Sequence, residues 1–336
     1  TVVSGLANAA RRGILIKGGV YLEQARSIRA LALDKTGTIT EGKPRLHSQQ
    51  ILAGDGSEVR AWALAMASRS DHPVSQAISQ GLSQEGLAPL PVADFAALTG
   101  RGTQGNISGQ LFYLGNHRLV HERGLCSPEL EKQLHALEAQ GYTLTLLASE
   151  HEVLALFAVA DSIKATSKTA LAQLQAMGVR SIMLTGDNQA TADAVAQEAG
   201  LEQARGNLLP EDKLAAIKTL QAQYGATAMT GDGINDAPAL AQADIGFAMG
   251  AAGTDIAMEA ADVLIMNDDL GRIAQTIALS RRTYAVLWQN IALALGIKAV
   301  FLVLALMGDA TMWMAVFADM GASLLVVFNG LRLLRK

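Results

Sequence analysis

The apolar positions of this chain fall into two unlike patterns. Near the C-terminal end two long runs, residues 284–307 (YAVLWQNIALALGIKAVFLVLALM) and 310–331 (ATMWMAVFADMGASLLVVFNGL), carry almost no charge. Each is long enough to cross a bilayer as a helix, which takes about 20 residues. Gly308 and Asp309 leave room only for a short turn between them, and the flanks are basic: Arg281 and Arg282 before, Arg332, Arg335 and Lys336 after. By the positive-inside rule both ends are cytoplasmic and the turn lies outside. Elsewhere the apolar runs are short and end on Asp, Thr and Gly: LALD at 31–34, SIMLTGD at 181–187 and ATAMTGD at 226–232. IGFAMG (245–250) and DVLIM (262–266) predict two further strands, and residues 190–199 a helix. This is an α/β pattern. It brings three strand tips bearing Asp, Thr and Gly to one edge of a parallel sheet, the edge where open α/β sheets bind ligands. Residues 45–153 interrupt the pattern with a stretch rich in Gly, Ser and turns, which predicts a second domain inserted after the first strand.

Composition changes this picture in three ways. The 336 residues are 50% hydrophobic, 4% aromatic and 17% charged, and the mean hydropathy of +0.23 is high for a chain lying wholly in water. The net charge of −4 gives no reason to expect nucleic acid as a partner. The single cysteine, Cys126, excludes an internal disulfide and fits a reducing compartment. The opening TVVSGLANAARRG has neither an initiating Met nor a long apolar stretch, so it reads as the middle of a longer protein.

The chemistry gathers on DKTGTIT (34–40). A carboxylate at a strand tip can attack a phosphoryl group and hold it as an acyl phosphate, and such transfer rests mostly on positioning and charge neutralisation. Asp34 is the candidate nucleophile. Thr36, Thr185 and the Gly186 amide can hydrogen-bond phosphoryl oxygens, and Lys213 in LLPEDK can bring a positive charge. Asp232 and Asp236 in GDGIND are spaced to hold Mg2+, which prefers oxygen ligands, with Asn235 in support. Each motif alone has an ordinary turn as its bland reading; their joint occurrence, in this order and at strand ends, does not.

DKTGTIT, TGDN and GDGINDAPAL together resemble the phosphorylation domain of P-type cation-transporting ATPases, a domain of the haloacid dehalogenase-like fold. The resemblance covers essentially the whole chain. It implies that Asp34 becomes a phosphoaspartate, that Lys35, Thr36, Thr185, Gly186, Asp187, Lys213 and Asn235 belong to the catalytic motifs, and that Asp34, Thr36, Asp232 and Asp236 hold Mg2+. The insert contains SDHPVSQAI, GRGTQG and LGNHRL, which resemble the nucleotide-binding domain of the heavy-metal subgroup. By that resemblance His72, Gly100, Gly102, Gly115 and Asn116 surround ATP. Where the family usually has a glutamate five residues before the histidine, this chain has Ala67. The implied fold is an α/β haloacid dehalogenase-like phosphorylation domain (24–44 and 154–275) with an inserted α+β nucleotide-binding domain (45–153). A linker (1–23) precedes it, and a transmembrane helix pair follows (284–307 and 310–331).

Each apolar run carries one charge near its middle, Lys298 and Asp319. A mid-bilayer charge costs at least about 2.5–3.5 kcal/mol on insertion scales, so such residues pair or line an ion path. Asp319 sits in ADMGAS, whose small residues permit close helix approach. The two runs resemble the last helices of zinc, cadmium and lead exporters, which implies that Asp319 is a residue of the transported-metal site and Lys298 its neighbour or counter-ion. The remaining histidines, His47, His117, His121, His135 and His151, read as surface or structural. Cys126, without a partner at metal-site spacing, reads as inert.

The resemblance thus implies ATP-driven export of Zn2+, Cd2+ or Pb2+ from a multi-pass cell-membrane protein, with ATP and Mg2+ required and the two non-membrane domains cytoplasmic. The family's earlier membrane helices and actuator domain do not occur in these residues and are expected partners, together with the bilayer and the metal ion. Three alternatives stay open: a copper(I) exporter, a soluble phosphatase of the same fold, and a non-catalytic fragment that only binds nucleotide.

Overall fold

The short apolar runs become strands; Ala30–Asp34, Thr227–Gly231 and Ile245–Met249 are buried along their whole length, as expected where a sheet is covered on both faces. In the computed structural model all residues are described except 85, 232–235, 251–254, 309–310 and 335–336, and the side chains of 255–257, 315 and 317. The strands are β1 (Ile14–Ile16), β2 (Ala30–Asp34), β3 (Arg45–Ile51), β4 (Ala93–Leu98), β5 (Gly102–Ile107), β6 (Gln110–Gly115) and β7 (Thr143–Ala148). There follow β8 (Val153–Ala160), β9 (Arg180–Leu184), β10 (Gln203–Arg205), β11 (Thr227–Gly231), β12 (Ile245–Met249) and β13 (Val263–Ile265). A seven-stranded sheet has the order β1-β13-β12-β11-β2-β9-β10, so the three strands ending in Asp or Thr-Gly-Asp motifs, β11, β2 and β9, are neighbours. The β11/β12, β12/β13 and β9/β10 pairs are parallel and β1/β13 is antiparallel.

By contact density the chain forms two compact units, residues 33–168 with 181–213, and residues 1–32 with 169–180 and 214–336. The first contains a six-stranded antiparallel sheet of order β3-β8-β7-β6-β5-β4. Its last-formed strand in the sequence, β8, runs to Ala160, so the boundary expected at residue 153 falls at the start of a strand of this sheet. Side chains alternate between two cores with the period of two that a strand imposes. Ala155, Phe157 and Val159 of β8 face helices Gly56–Ala67 and Pro73–Ser83, while Leu156 and Ala158 face Val120, Leu130 and Leu134 of helices His117–Glu122 and Pro128–Glu138. Each helix start has its cap: Asp55, His72, Asn116 and Ser127 accept backbone N–H groups of the following turn, satisfying donors that a helix leaves unpaired. Proline at the first helical position after His72 and Ser127 fixes φ where the missing N–H costs nothing.

The second unit carries the long apolar helices. The first runs Gly271–Leu306, starting well before the expected residue 284. The reason is packing: Ile273, Ala274, Ile277 and Leu279 are buried in protein, so the helix is amphipathic before it becomes uniformly apolar. Its polar side is fixed to the N-terminal segment. Arg26 N–H donates to Ser280 Oγ at 2.9 Å, the Arg26 guanidinium lies 3.5 Å over the Tyr284 ring, and Asn290 Nδ2 donates to Thr1 Oγ1 at 2.8 Å. The second helix is Met312–Leu331. Among the described residues only 6% and 12% of the most apolar 18-residue windows of the two helices is buried. Leu302, Leu306, Val327 and Phe328 are exposed. Exposed apolar faces of this kind, on helices long enough to cross a bilayer, are what a membrane-spanning pair offers to lipid or to further helices. Tyr284 and Trp288, beside Arg281 and Arg282, lie at one end of it and Trp313 at the other, the places where aromatic side chains meet the membrane interface. Asp309, Arg335 and Lys336 of the expected turn and basic flank are outside the described residues.

Gly102 has φ +143, and a Cβ placed there would sit 2.3 Å from Leu114 O. Gly102→Ala is therefore expected to cost more than about 2 kcal/mol, read as a lowered denaturation midpoint at unchanged slope. An unchanged midpoint would contradict this close packing of β5 on β6.

Candidate active site

Asp34 is the last residue of β2 and is buried at 7% exposure. The chain turns at once. Gly37 takes φ +71, and the Thr40 N–H closes the wide turn on Lys35 O at 3.1 Å. A left-handed residue is needed here, which glycine supplies without steric cost. The turn is clasped by residues 161–167. Thr40 Oγ1 donates to Asp161 Oδ2 at 2.5 Å, the Lys43 N–H donates to Asp161 Oδ1 at 3.2 Å, Ser167 Oγ donates to Ile39 O at 2.8 Å, and Lys164 Nζ donates to Gly37 O. Asp161, Lys164 and Ser167 were not singled out from the sequence. The available signal was Asp161 directly after the apolar run of β8, the same arrangement as Asp34 after β2.

The Asp34 carboxylate has both oxygens engaged. Oδ2 accepts the Thr36 N–H at 3.1 Å, and Oδ1 accepts from Lys213 Nζ. Lys213 is itself buried. It reaches Asp34 because the loop before it is stitched to the Thr185-Gly186-Asp187 turn: the Leu208 N–H donates to Thr185 O at 3.1 Å and the Asn207 N–H to Asp187 O at 2.5 Å. Thr185, buried, accepts the Asp187 N–H on Oγ1 at 3.2 Å. Asp187 in turn accepts from Lys35 Nζ. Burial would lower the Lys35 pKa, but Asp187, by charge and hydrogen bond, with Asp161 and Asp34, outweighs it and holds the ammonium above its ordinary value. Asp34, Lys35, Thr36, Thr185, Gly186, Asp187 and Lys213 thus come together in one unit as the sequence expected. Asp236, at the start of helix Ala237–Gln242, is a buried carboxylate whose side chain packs against Gly231. Asp232 and Asn235 are outside the described residues.

Four of the five candidate nucleotide residues form a cluster. Gly102 and Gly115 pair directly across β5 and β6, and Asn116 Nδ2 donates to Gly100 O at 3.0 Å while its Oδ1 caps Leu119 N. These four residues surround Arg101, which pairs with Glu122 and lines an open cavity of about 510 Å3 with Leu98, Leu119 and Arg123. The cavity borders the glycine cluster and not Asp34. His72 caps the helix Pro73–Ser83. Its Nδ1 accepts the Val74 N–H at 3.3 Å, and the charges acting on the ring are those of Asp187 and Lys35. The ring is solvent-exposed yet crowded by protein atoms. That desolvation, with Lys35, lowers its pKa against the opposing pull of Asp187. Ala67 is fully buried in the core at the end of its helix, so no carboxylate is present at that point.

On the apolar helices Lys298 Nζ stands 3.8 Å from Asp319 Oδ1, and both side chains are mostly exposed among the described residues. Of the small residues around Asp319, Ala322 is buried, while a Cβ at Gly321 would meet nothing within 4 Å among the described residues. The glycine lies on a face that the partner helix does not cover.

Residues 28–244 match the haloacid dehalogenase-like hydrolase family, and the chain belongs to it. Within that fold it is similar over essentially its whole length to P-type ATPases named for heavy metals. A zinc/cadmium/lead-transporting P-type ATPase of Escherichia coli (strain K12) is 43% identical over 340 residues, covering 100% of this chain and 45% of the relative. A copper-exporting P-type ATPase of Bacillus subtilis (strain 168) is 42% identical over 335 residues, 99% of this chain and 42% of the relative. A crystal structure of a zinc-transporting PIB-type ATPase in an E2·Pi state superposes with a TM-score of 0.75 at 41% identity, covering 99% of this chain and 54% of that one. The chain therefore spans about half the length, or less, of the proteins it matches.

Two predictions follow from the buried charges. Lys213→Met leaves Asp34 buried without its cation and is expected to destabilise by about 3–5 kcal/mol. The same change in an Asp34→Asn background is expected to cost far less, and equal costs in a denaturant-unfolding cycle would refute the pairing. For His72, the folded pKa lies below the unfolded value of about 6.5, so the unfolded chain takes up the proton first on acidification. Its contribution to stability is complete above pH about 6.5 and is lost as pH falls towards the folded pKa. His72→Gln is expected to flatten that part of the stability–pH curve.

Proposed function

We propose that this chain is the phosphorylated, nucleotide-binding and C-terminal membrane part of a pump that exports a divalent heavy-metal cation, Zn2+, Cd2+ or Pb2+, at the expense of ATP. The observation that carries the reaction is Asp34: a buried strand-end carboxylate with one oxygen on Lys213 and the other on the Thr36 amide. An Asp34 oxygen bonds to the γ-phosphorus of ATP as the bond to the bridging oxygen of ADP breaks, leaving an aspartyl phosphate that water later hydrolyses. Lys213 neutralises the charge of the transferring group, and Thr36, Thr185 and the Gly186 amide orient its oxygens. The oxygen donors of Asp34 and Thr36, together with the buried carboxylate of Asp236, are of the kind Mg2+ takes. When bound, Mg2+ would screen the phosphoryl charge, with Asp232 and Asn235 in the roles that their motif implies. Lys35 holds Asp187 in place beside the same loop. Gly100, Gly102, Gly115 and Asn116 form the backbone-lined surface for the nucleotide, and His72, neutral and with Nδ1 occupied, presents Nε2–H to it. The insert (45–153) binds the nucleotide, the phosphorylation domain (24–44 and 154–275) carries Asp34, and the linker (1–23) and the membrane pair connect it to the bilayer, with the actuator domain and earlier helices supplied by the longer protein.

Asp319 supports the choice of cargo. A carboxylate across from a lysine on two lipid-facing helices is a hard donor suited to a divalent ion, whereas Cu+ prefers thioethers and thiolates. The 42% identity to a copper exporter favours copper(I) as the second reading. Asp34→Ala is expected to abolish phosphoenzyme formed from γ-labelled ATP; label that persists, stable in acid and released by hydroxylamine, would exclude Asp34. In the full-length parent, Asp319→Ala is expected to remove stimulation of ATP hydrolysis by Zn2+, Cd2+ or Pb2+. Stimulation by Cu+ alone, indifferent to that change, would select the copper reading.

A further inference from the structure

The six-stranded domain brings together side chains that are scattered in the sequence and were expected to be structural or inert. His117 and His121 lie one turn apart on helix His117–Glu122. Glu131, His135 and Glu138 share one face of helix Pro128–Glu138, and Cys126 lies in the loop between the helices. Both helices pack through Val120, Leu130 and Leu134 on the same core. The donor atoms of His117, His121 and Cys126 lie within 4.8 Å of one another. Glu131 Oε1 stands 3.0 Å from His121 Nδ1 and 4.0 Å from His117 Nε2.

One atom separates a ligand site from a patch of surface ion pairs. His117 Nε2 is buried, and among the described residues it has no hydrogen-bond partner. The other ring nitrogen, Nδ1, faces Glu138 Oε1 at 3.6 Å, and Glu138 is itself buried at 3% exposure and meets His135 Nδ1 at 3.4 Å. A carboxylate on one imidazole nitrogen, with the second nitrogen turned towards further donors, is the outer-shell arrangement of a metal-bound histidine. Glu138 stands close to Nδ1, whereas Nε2 has only Glu131 at 4.0 Å, too far for a hydrogen bond, so it is buried without one, which costs about 1–3 kcal/mol. A cation beside Nε2 removes that cost.

We propose that His117, His121 and Cys126, with Glu131 as fourth donor, form a binding site for one Zn2+-class divalent cation, different from the Lys298–Asp319 pair. Two imidazoles, a thiolate and a carboxylate make a tetrahedral set for a borderline-soft ion. With metal–ligand distances of about 2.0–2.3 Å the donors must draw in by about 1 Å, which the exposed His121 ring and the Cys126 loop permit. Cys126 binds as the thiolate, so loading the site releases the thiol proton to solvent. The site adjoins the candidate nucleotide surface, since His117 directly follows Asn116 and Asn116 caps the helix bearing both histidines. It does not depend on the transport reading.

The test uses the whole chain in detergent carrying Asp319→Ala, so that the membrane carboxylate contributes nothing. Zn2+ affinity is measured by competition with a chromophoric chelator, and Co2+ is used as a spectroscopic probe. The expected result is one equivalent of Zn2+ bound, with affinity lowered more than about tenfold by His121→Ala, and a thiolate-to-cobalt charge-transfer band abolished by Cys126→Ser. Both positions are at or near the surface, and circular dichroism of each variant checks that the fold persists. Absence of bound Zn2+, affinity unchanged by His121→Ala, or a Co2+ spectrum without thiolate character overturns the site. Loss of binding on His135→Ala but not on His121→Ala also overturns it, placing the ion on His117, His135 and Glu138.

Discussion

Two lysines and two aspartates, Lys213 with Asp34 and Lys35 with Asp187, are held at the strand ends where water is largely excluded. Charges taken out of water are costly unless each is compensated, and removing either partner exposes that cost. The surrounding loops are arranged by this constraint. Gly37 turns the chain so that the Thr36 amide reaches Asp34, residues 161–167 hold that turn closed, and the segment 207–208 ties the Lys213 loop to the Thr185-Gly186-Asp187 turn. On the proposed reading, a phosphoryl group arriving at Asp34 meets the ammonium of Lys213 already in place.

The same logic of compensation recurs elsewhere in the chain with different partners. In the lipid-facing helices the charges of Lys298 and Asp319 answer each other across 3.8 Å, with no polar neighbours needed to make the arrangement intelligible. In the six-stranded domain Glu138 is buried beneath His117 and His135, and the histidines are what make its burial affordable. The three sites differ in what they offer a ligand. In the roles proposed for them, the first presents cations to an anion, the second a carboxylate to a cation, and the third nitrogen and sulfur donors to a softer cation.

Glycines show how a structural demand and a functional motif coincide. Gly102 and Gly115 face each other across β5 and β6 with no space for a Cβ at either, so the fold requires them whether or not a nucleotide approaches. Asn116 likewise caps a helix and ties Gly100 to it. The motif that marks a nucleotide surface is thus also the means by which two strands and a helix meet. His72 likewise caps a helix, and its ring feels the charges of Asp187 and Lys35.

By itself the sequence determined the strands and their order of function. Runs such as LALD and SIML are apolar enough that only a doubly covered strand can bury them, and the residues that follow them are fixed to the strand tips by the chain. It also determined the two membrane helices, because length and hydropathy alone settle what a bilayer accepts. Tertiary structure decided what depends on loops crossing. Asp161, Lys164 and Ser167 clasp the Asp34 turn from more than a hundred residues away in the chain, and local pattern marks only Asp161, which directly follows the apolar run of β8. The helical start at Gly271 was set by packing against the N-terminal segment. His117, His121 and Cys126 looked inert because metal-site spacing was sought along the chain, whereas two helices on one sheet face brought them together in space.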